Sequence, residues 1–394
     1  MTLSRRAALL GLATSVSLGR TTLALASAPT DKRLVVIILR GALDGMAAVV
    51  PYGDPALVGL RGEIVPPQPG QPDGSLDLGG FYGLHPALAG LHDLYQAQEA
   101  LVVHAVAGSY RVRSHFEAQD YLESGADHRM TSGWLNRAVT ALPPASPARL
   151  EGEALAVGMS VPLLLRGPAA VANWAPHGFA PPAQDLYVTI AGLNGNDPVI
   201  GPAIIEGLRA RGFSASVMAG EGEPAEKNAF PALARAAGTL LAAPEGPRVA
   251  ALEIGGWDTH SAQVNRLSGP LKQLDAGLLA LRAALGPAWA RTAVLVMTEF
   301  GRTARVNGTK GTDHGTGTVA FVVGGAVAGG RVRATWPGLG AGQLFENRDL
   351  APTADLRAVA KGLLVAHFGL DGAALARVFP GSDSVAPIAG LIRT

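Results

Sequence analysis

No cysteine occurs among the 394 residues. That absence excludes a disulfide framework, a thiolate metal site and a Cys nucleophile. Charge is scarce as well: 16% of residues are charged, and 32 Lys plus Arg against 31 Asp plus Glu leave a formal +1. So balanced a chain has no broad field to draw it onto nucleic acid or an acidic membrane, and its specificity must reside in a local site. Long apolar runs are missing too. The N-terminal one is interrupted by Arg20 and falls short of the ~20 residues that cross a bilayer, so no permanent membrane anchor is expected. Two motifs are also absent. No G-x-G-x-x-G follows an expected strand, and Gly158-Met159-Ser160-Val161-Pro162 breaks the G-x-S-x-G elbow at its last position, which argues against a dinucleotide enzyme and a serine elbow.

What is present begins with Ser4-Arg5-Arg6, an apolar Ala7 to Ala13 and a small-residue tract ending at Ala24-Leu25-Ala26. Residues 1–26 read as a twin-arginine (Tat) signal peptide, which implies a periplasmic or secreted protein handled by the Tat translocase during export. Cleavage after Ala26 removes Arg5, Arg6 and Arg20 and no acidic residue, taking the charge from +1 to −2. Residues 27–394 are expected to form one domain, with about 161–246 as an insertion or cap.

Within it, Lys32 to Arg40, Ala100 to Ala107, Arg248 to Ile254, Thr292 to Thr298 and Thr318 to Gly324 are short, continuous apolar runs, the pattern of strands buried on both faces. Between them, Pro86 to Tyr95, His115 to Ser124, Ala232 to Ala242, Leu271 to Leu285 and Leu356 to His367 carry apolar residues at helical spacing. The expected fold is α/β, a doubly wound and mostly parallel sheet flanked by helices.

Ligands of such sheets bind beyond the carboxyl ends of the strands. There the chain places Asp44, Arg113-Ser114-His115, Asp258-Thr259-His260 and Glu299-Phe300-Gly301-Arg302, while Asp313-His314 immediately precedes the last run. Asp44, Asp258, His260, Glu299, Asp313 and His314 are oxygen and imidazole donors, suited to one or two divalent ions of Zn, Mn, Mg or Ca. Asp258 and His260, two apart, point the same way in extended backbone and can share one ion. Structural alternatives stand beside each reading. Asp44 before Gly45 suits a helix N-cap or turn, Glu299 suits a partner for Arg302, and Ser114 suits a helix cap with Glu117 at the capping-box position. Ser114 also suits a nucleophile, since a helix N-terminus beside a metal favours an anion-accepting hydroxyl. Arg302, Arg113 or Arg40 is the expected clamp on a small anionic ester.

The segments Arg40-Gly-Ala-Leu-Asp44-Gly, Arg113-Ser-His-Phe-Glu-Ala-Gln119, Gly255-Gly-Trp-Asp-Thr-His260, Thr298-Glu-Phe-Gly-Arg-Thr303 and Gly311-Thr-Asp-His-Gly315 resemble the DUF1501 family of bacterial, often Tat-exported proteins. That family resembles the alkaline phosphatase and sulfatase superfamily in fold, which implies a metal-dependent hydrolase of phosphate esters, less readily of sulfate esters. In the superfamily pattern Asp44 matches a metal-binding Asp, Ser114 the nucleophile, Asp258 and His260 the Asp and His of the other metal, and His314 a late ligand. Glu299-Phe300 stands where the superfamily has Asp-His, so one imidazole is missing, with His115 or Asp313 as its substitute. The formylglycine frame of sulfatases, [CS]-x-P-x-R, is broken by Ala145 in Ala145-Ser-Pro-Ala-Arg149. The alternative is an inactive periplasmic binding or assembly protein that keeps the fold and one metal.

Overall fold

Seven consecutive residues, Arg33–Leu39, are buried and form the first strand, β1. Such a run is stable only when both faces of the sheet are covered. The computed structural model describes residues 31–142, 153–175 and 230–393, so the 1–26 segment and the middle of the 161–246 stretch lie outside the described residues. The further strands of the main sheet are β2 (Ala100–Ala107), β3 (Ala154–Val157), β4 (Val171–Trp174), β5 (Val249–Ile254), β6 (Thr292–Thr298), β7 (Thr318–Val323), β8 (Arg331–Arg333) and β9 (Ala354–Asp355). Their order is β8-β2-β7-β6-β1-β5-β3-β4, with β9 beside β2.

Among the described residues, seven helices of seven or more residues flank the sheet: α1 (Ala89–Gln96), α2 (His115–Ser124), α3 (Trp134–Ala141), α4 (Phe230–Ala242), α5 (Gln263–Leu285), α6 (Leu356–Phe368) and α7 (Gly372–Val378). Alternation along β1 divides the core. Val35, Ile37 and Leu39 pack with α1, α4 and α5 through Leu91, Leu240 and Leu278. Leu34, Val36 and Ile38 pack with α2, α3, α6 and α7 through Leu122, Leu135, Leu363 and Leu375. Each such side chain contributes about 1.5–3 kcal/mol by leaving water.

Two departures from the sequence reading have physical causes. The last apolar run, β7, lies antiparallel to both β2 and β6, whereas every other pairing in the main sheet is parallel. Apolar continuity reports burial on two faces and is blind to direction. Helix α5 begins at Gln263, about two turns before Leu271, and carries Pro270 inside it. Gly269-Pro270 reads as a break, but Leu267, Leu271, Leu274 and Leu278 form one buried stripe across it, and that burial outweighs the lost hydrogen bond. At the described ends of the 161–246 stretch, Val171–Trp174 is a strand of the main sheet and Phe230–Ala242 a helix on it, with Trp174 packed against the first core.

Two histidines sit inside this framework, His104 on β2 and His367 on α6. Burial pushes each pKa down to about 4, so both rings are neutral when folded. The unfolded chain, with an ordinary value near 6.5, takes up protons that the folded chain refuses. Stability present above pH 6.5 is therefore lost as pH falls toward 4, by up to about 3 kcal/mol per ring. Urea unfolding at pH 7 and pH 5 is expected to show a clearly lower midpoint at pH 5; equal midpoints would contradict this assignment.

Candidate metal centre

In the parallel pairing of β5, β1 and β6, Leu39 is in register with Ile254 on one side and with Thr298 on the other. Three loops consequently leave the sheet at one level, those beginning at Arg40, Gly255 and Glu299. The reversal of β7 brings Asp313-His314 to the same edge from the opposite direction, and α2 delivers His115 there. These loops turn sharply. Gly41 has φ +120°, and a Cβ on it would lie 2.9 Å from the Asp258 backbone nitrogen. Ala42 (φ 62°), Arg113 (φ 66°) and Ala262 (φ 46°) adopt left-handed backbone without being glycine, at about 1–2 kcal/mol each. The turn at Arg113 aims its carbonyl at His314, 3.0 Å from Nδ1.

Three imidazoles and one carboxylate meet at this edge. His314 Nε2 lies 3.0 Å from His115 Nε2 and 3.0 Å from His260 Nε2. Asp258 Oδ1 is 3.1 Å from His260 Nε2 and 3.6 Å from His314 Nε2, and Asp258 Oδ2 is 3.7 Å from His115 Nε2. Asp258 and His314 thus belong to two overlapping triads, one with His115 and one with His260. A tetrahedral cation with bonds of about 2.0–2.1 Å sets its donors about 3.4 Å apart, so these separations suit a zinc-like ion.

The far side of each ring is fixed. His115 Nδ1 faces Glu299 Oε1 at 2.8 Å, His260 Nδ1 faces Asp313 Oδ1 at 3.0 Å, and His314 Nδ1 faces the Arg113 carbonyl. Burial alone raises the Glu299 pKa, but hydrogen bonds from His115 and Gln119 outweigh it and hold the group below the usual carboxylate range. Asp313 is likewise held low, Asn307 and His260 outweighing burial, and so is Asp258, by Arg302 and the nearby imidazoles. Burial holds the His314 pKa below its ordinary value. Ionised carboxylates and a carbonyl only accept, so each Nδ1 is the donor of its pair and the Nε2 atoms are left facing one another and Asp258. Metal-ligating histidines are held in this manner, with the second nitrogen on a carboxylate or carbonyl.

The sequence-nominated residues part company here. Asp258, His260, His314 and His115 converge. Glu299 and Asp313 stand behind the rings: Glu299 Oε1 already accepts from Gly41 N and Gln119 Nε2 besides His115. Asp44 does not join them. It caps the Gly45–Ala48 turn, accepts from Arg61 Nη1 at 2.6 Å and Gln263 Nε2 at 2.6 Å, and is fully buried. Asp44 and Glu299 thus stand outside the group of His115, Asp258 and His314 that could hold an ion, which His260 adjoins. Ser114 stands at the N-cap of α2, next to His115, its carbonyl accepting from Ala118 N but its hydroxyl making no cap bond, and Glu117 accepts from the Tyr110 phenol.

The expected arginine clamps are also committed. Arg302, fully buried, donates to the carbonyls of Gly41, Ala42, Trp257 and Thr312 and to Asp258. Its partner is Asp258, not Glu299. Arg113 is paired with Asp349 and Glu346, and Arg40 with Glu123, Glu253 and Gln119. Gln119 escaped the sequence reading, although it lies four residues after His115 and so on the same face of α2, where both reach Glu299.

A doubly wound α/β protein with an imidazole–carboxylate cluster at its carboxyl edge is the class these observations define. The chain belongs to the DUF1501 family: the family model, "Protein of unknown function (DUF1501)", matches residues 105–379, which takes in Ser114, His115 and the centre but begins after Asp44. No curated protein matches the chain. Among solved structures, a crystal structure of Ps i-CgsB in complex with k-i-k-neocarrahexaose is similar at 11% identity and TM-score 0.42, over 90% of this chain and 76% of that one.

The assignment of Asp44 is testable. In Asp44→Ala the buried Arg61 guanidinium loses its counter-charge, a change that costs about 3–5 kcal/mol. Denaturant unfolding is expected to show that loss while metal content is unchanged. A variant of normal stability that had lost metal would return Asp44 to the ligand set.

Proposed function

We propose that this protein is an exported metal-dependent hydrolase of phosphate esters whose divalent cation is held by Asp258, His314, His260 and His115. The observation that carries the reading is the convergence of three Nε2 atoms on the Asp258 carboxylate, each ring fixed from behind by Glu299, Asp313 or the Arg113 carbonyl. Three imidazoles favour zinc or a related transition metal over Mg or Ca, which prefer oxygen donors. When bound, the cation supplies Lewis-acid polarisation of the ester and neutralises developing negative charge.

The residues around it do the rest. Glu299 and Asp313 fix the ring orientations and make the ligating nitrogens more basic. Asp258 and His260, with side chains 46% and 45% exposed, leave the centre open to a substrate from solvent. Ser114 offers a hydroxyl at the start of α2, beside His115, where helix N–H groups favour an accumulating anion. Asp258, His260 and His314 match the superfamily's ligands, and Glu299-Phe300 replaces its Asp-His, consistent with a single ion. Export rests on Ser4-Arg5-Arg6 and the tract that follows.

A second reading, a binding protein without turnover, is favoured by the commitment of Arg40, Arg113 and Arg302 to carboxylates and carbonyls. Elemental analysis of purified protein, followed by a panel of phosphate mono- and diesters, separates the two. One equivalent of transition metal is expected, lost in His314→Ala and weakened about 10–100-fold in Glu299→Gln. Hydrolysis is expected to require the metal and to fall at least ~1,000-fold in Ser114→Ala. Retention of metal by both His314→Ala and Asp258→Ala sinks the centre; a metal-loaded protein inert on the whole panel leaves the binding reading.

A further inference from the structure

A cavity of about 270 Å³ adjoins the centre, lined in part by Thr303, Arg305, Asn307, Asp313, Asn347 and Arg348. Asp313 belongs to both places, since its Oδ1 holds His260 Nδ1 at 3.0 Å while the residue also forms part of the cavity wall. The wall is preformed. Asn307 donates to Asp313 and to the His260 carbonyl and accepts from the backbone N–H groups of Thr309 and Gly311.

The charge of this cavity differs from that of the centre. Arg305 is exposed and has no side-chain partner among the described residues. Arg348, 40% exposed, gives one nitrogen to Asp349 at 3.2 Å, and its positive charge reaches the Asp313 carboxylate. Two guanidinium groups with unassigned donors thus face a pocket next to the reacting edge, whereas Arg40, Arg113 and Arg302 are engaged. Planar forks of this kind recognise oxyanions in bidentate fashion.

We propose that this cavity is a subsite for a tetrahedral oxyanion, phosphate or sulfate, gripped by Arg305 and Arg348. Resting on the hydrolase reading, it makes the substrate an ester that carries a second anionic group beyond the scissile one. Arg305 and Arg348 lie outside both the Thr298-Glu-Phe-Gly-Arg-Thr303 segment and the Gly311-Thr-Asp-His-Gly315 turn.

Calorimetric titration with inorganic phosphate, and separately with inorganic sulfate, tests the proposal, wild type and the arginine double variant carrying their metal and His314→Ala lacking it. The proteins compared are wild type, Arg305→Ala/Arg348→Ala and His314→Ala. Wild type and His314→Ala are expected to bind within threefold of each other, and the double variant at least tenfold more weakly with its metal content unchanged. The stronger of the two anions in wild type identifies the group the subsite prefers. Equal binding by the double variant overturns the proposal, as does loss of all binding in His314→Ala, which assigns the affinity to the metal centre. No binding by wild type at tens of millimolar also overturns it. Metal retention in His314→Ala is read separately, so failure of the centre and failure of the subsite are distinguishable.

Discussion

The Arg302 guanidinium is the tie on which the functional edge depends. It is completely buried, and its donors reach the loop after β1 at Gly41 and Ala42, the loop after β5 at Trp257 and Asp258, and the turn before β7 at Thr312. A buried cation is tolerable only when its donors are satisfied and a counter-charge is near. Those acceptors must therefore stay where Arg302 needs them, and in staying there they hold Asp258 among the imidazoles. A lysine ammonium is a compact point charge without the planar fork, so it could not span the same set. Three loops spread between Gly41 and Thr312 are thus fixed by one side chain.

That rigidity gives the cluster its chemistry. Flexible side chains would scatter the ring nitrogens, but Glu299, Asp313 and the Arg113 carbonyl fix each ring by its Nδ1 and leave the Nε2 atoms together. On the proposed reading, that arrangement is held ready for a positive ion. A cation that binds only the folded form adds its binding free energy to stability. Strained backbone at Ala42, Arg113 and Ala262 belongs to the same logic, since left-handed turns persist only where surrounding contacts over-determine them.

How much of this was legible beforehand follows from what each pattern can encode. Continuous apolar runs located the five long strands because burial on two faces leaves that trace, and polar residues at their ends named the four groups that converge. Strand direction leaves no such trace, yet the reversal of β7 explains why Asp313-His314 stands before a strand instead of after one. Ala154–Val157 and Val171–Trp174 are too short to separate from any apolar tetrapeptide. Donor type could not distinguish a ligand from its support. Asp44 and Asp258 are chemically identical, and only the placement of Arg61 and Gln263 against the former assigns it to structure. Arginines are the hardest to read, because their partners lie as far as 261 positions away.

The fate of those arginines bears on what the protein can recognise. In a site where Arg40, Arg113 and Arg302 shape loops, the proposed anion recognition would fall to the cation at one end and to groups outside the loops at the other. A cation alone attracts any oxyanion and discriminates poorly among them; discrimination requires a second point of contact at fixed distance and direction. Asp313 supplies the fixed relation between centre and cavity, because one carboxylate orients His260 and also forms part of the cavity wall, where the charge of Arg348 reaches it. Geometry held by a buried network on one side and exposed guanidinium groups on the other is a division between a rigid reacting edge and an adaptable recognition surface, and in a fold of this class the second is free to vary without disturbing the first.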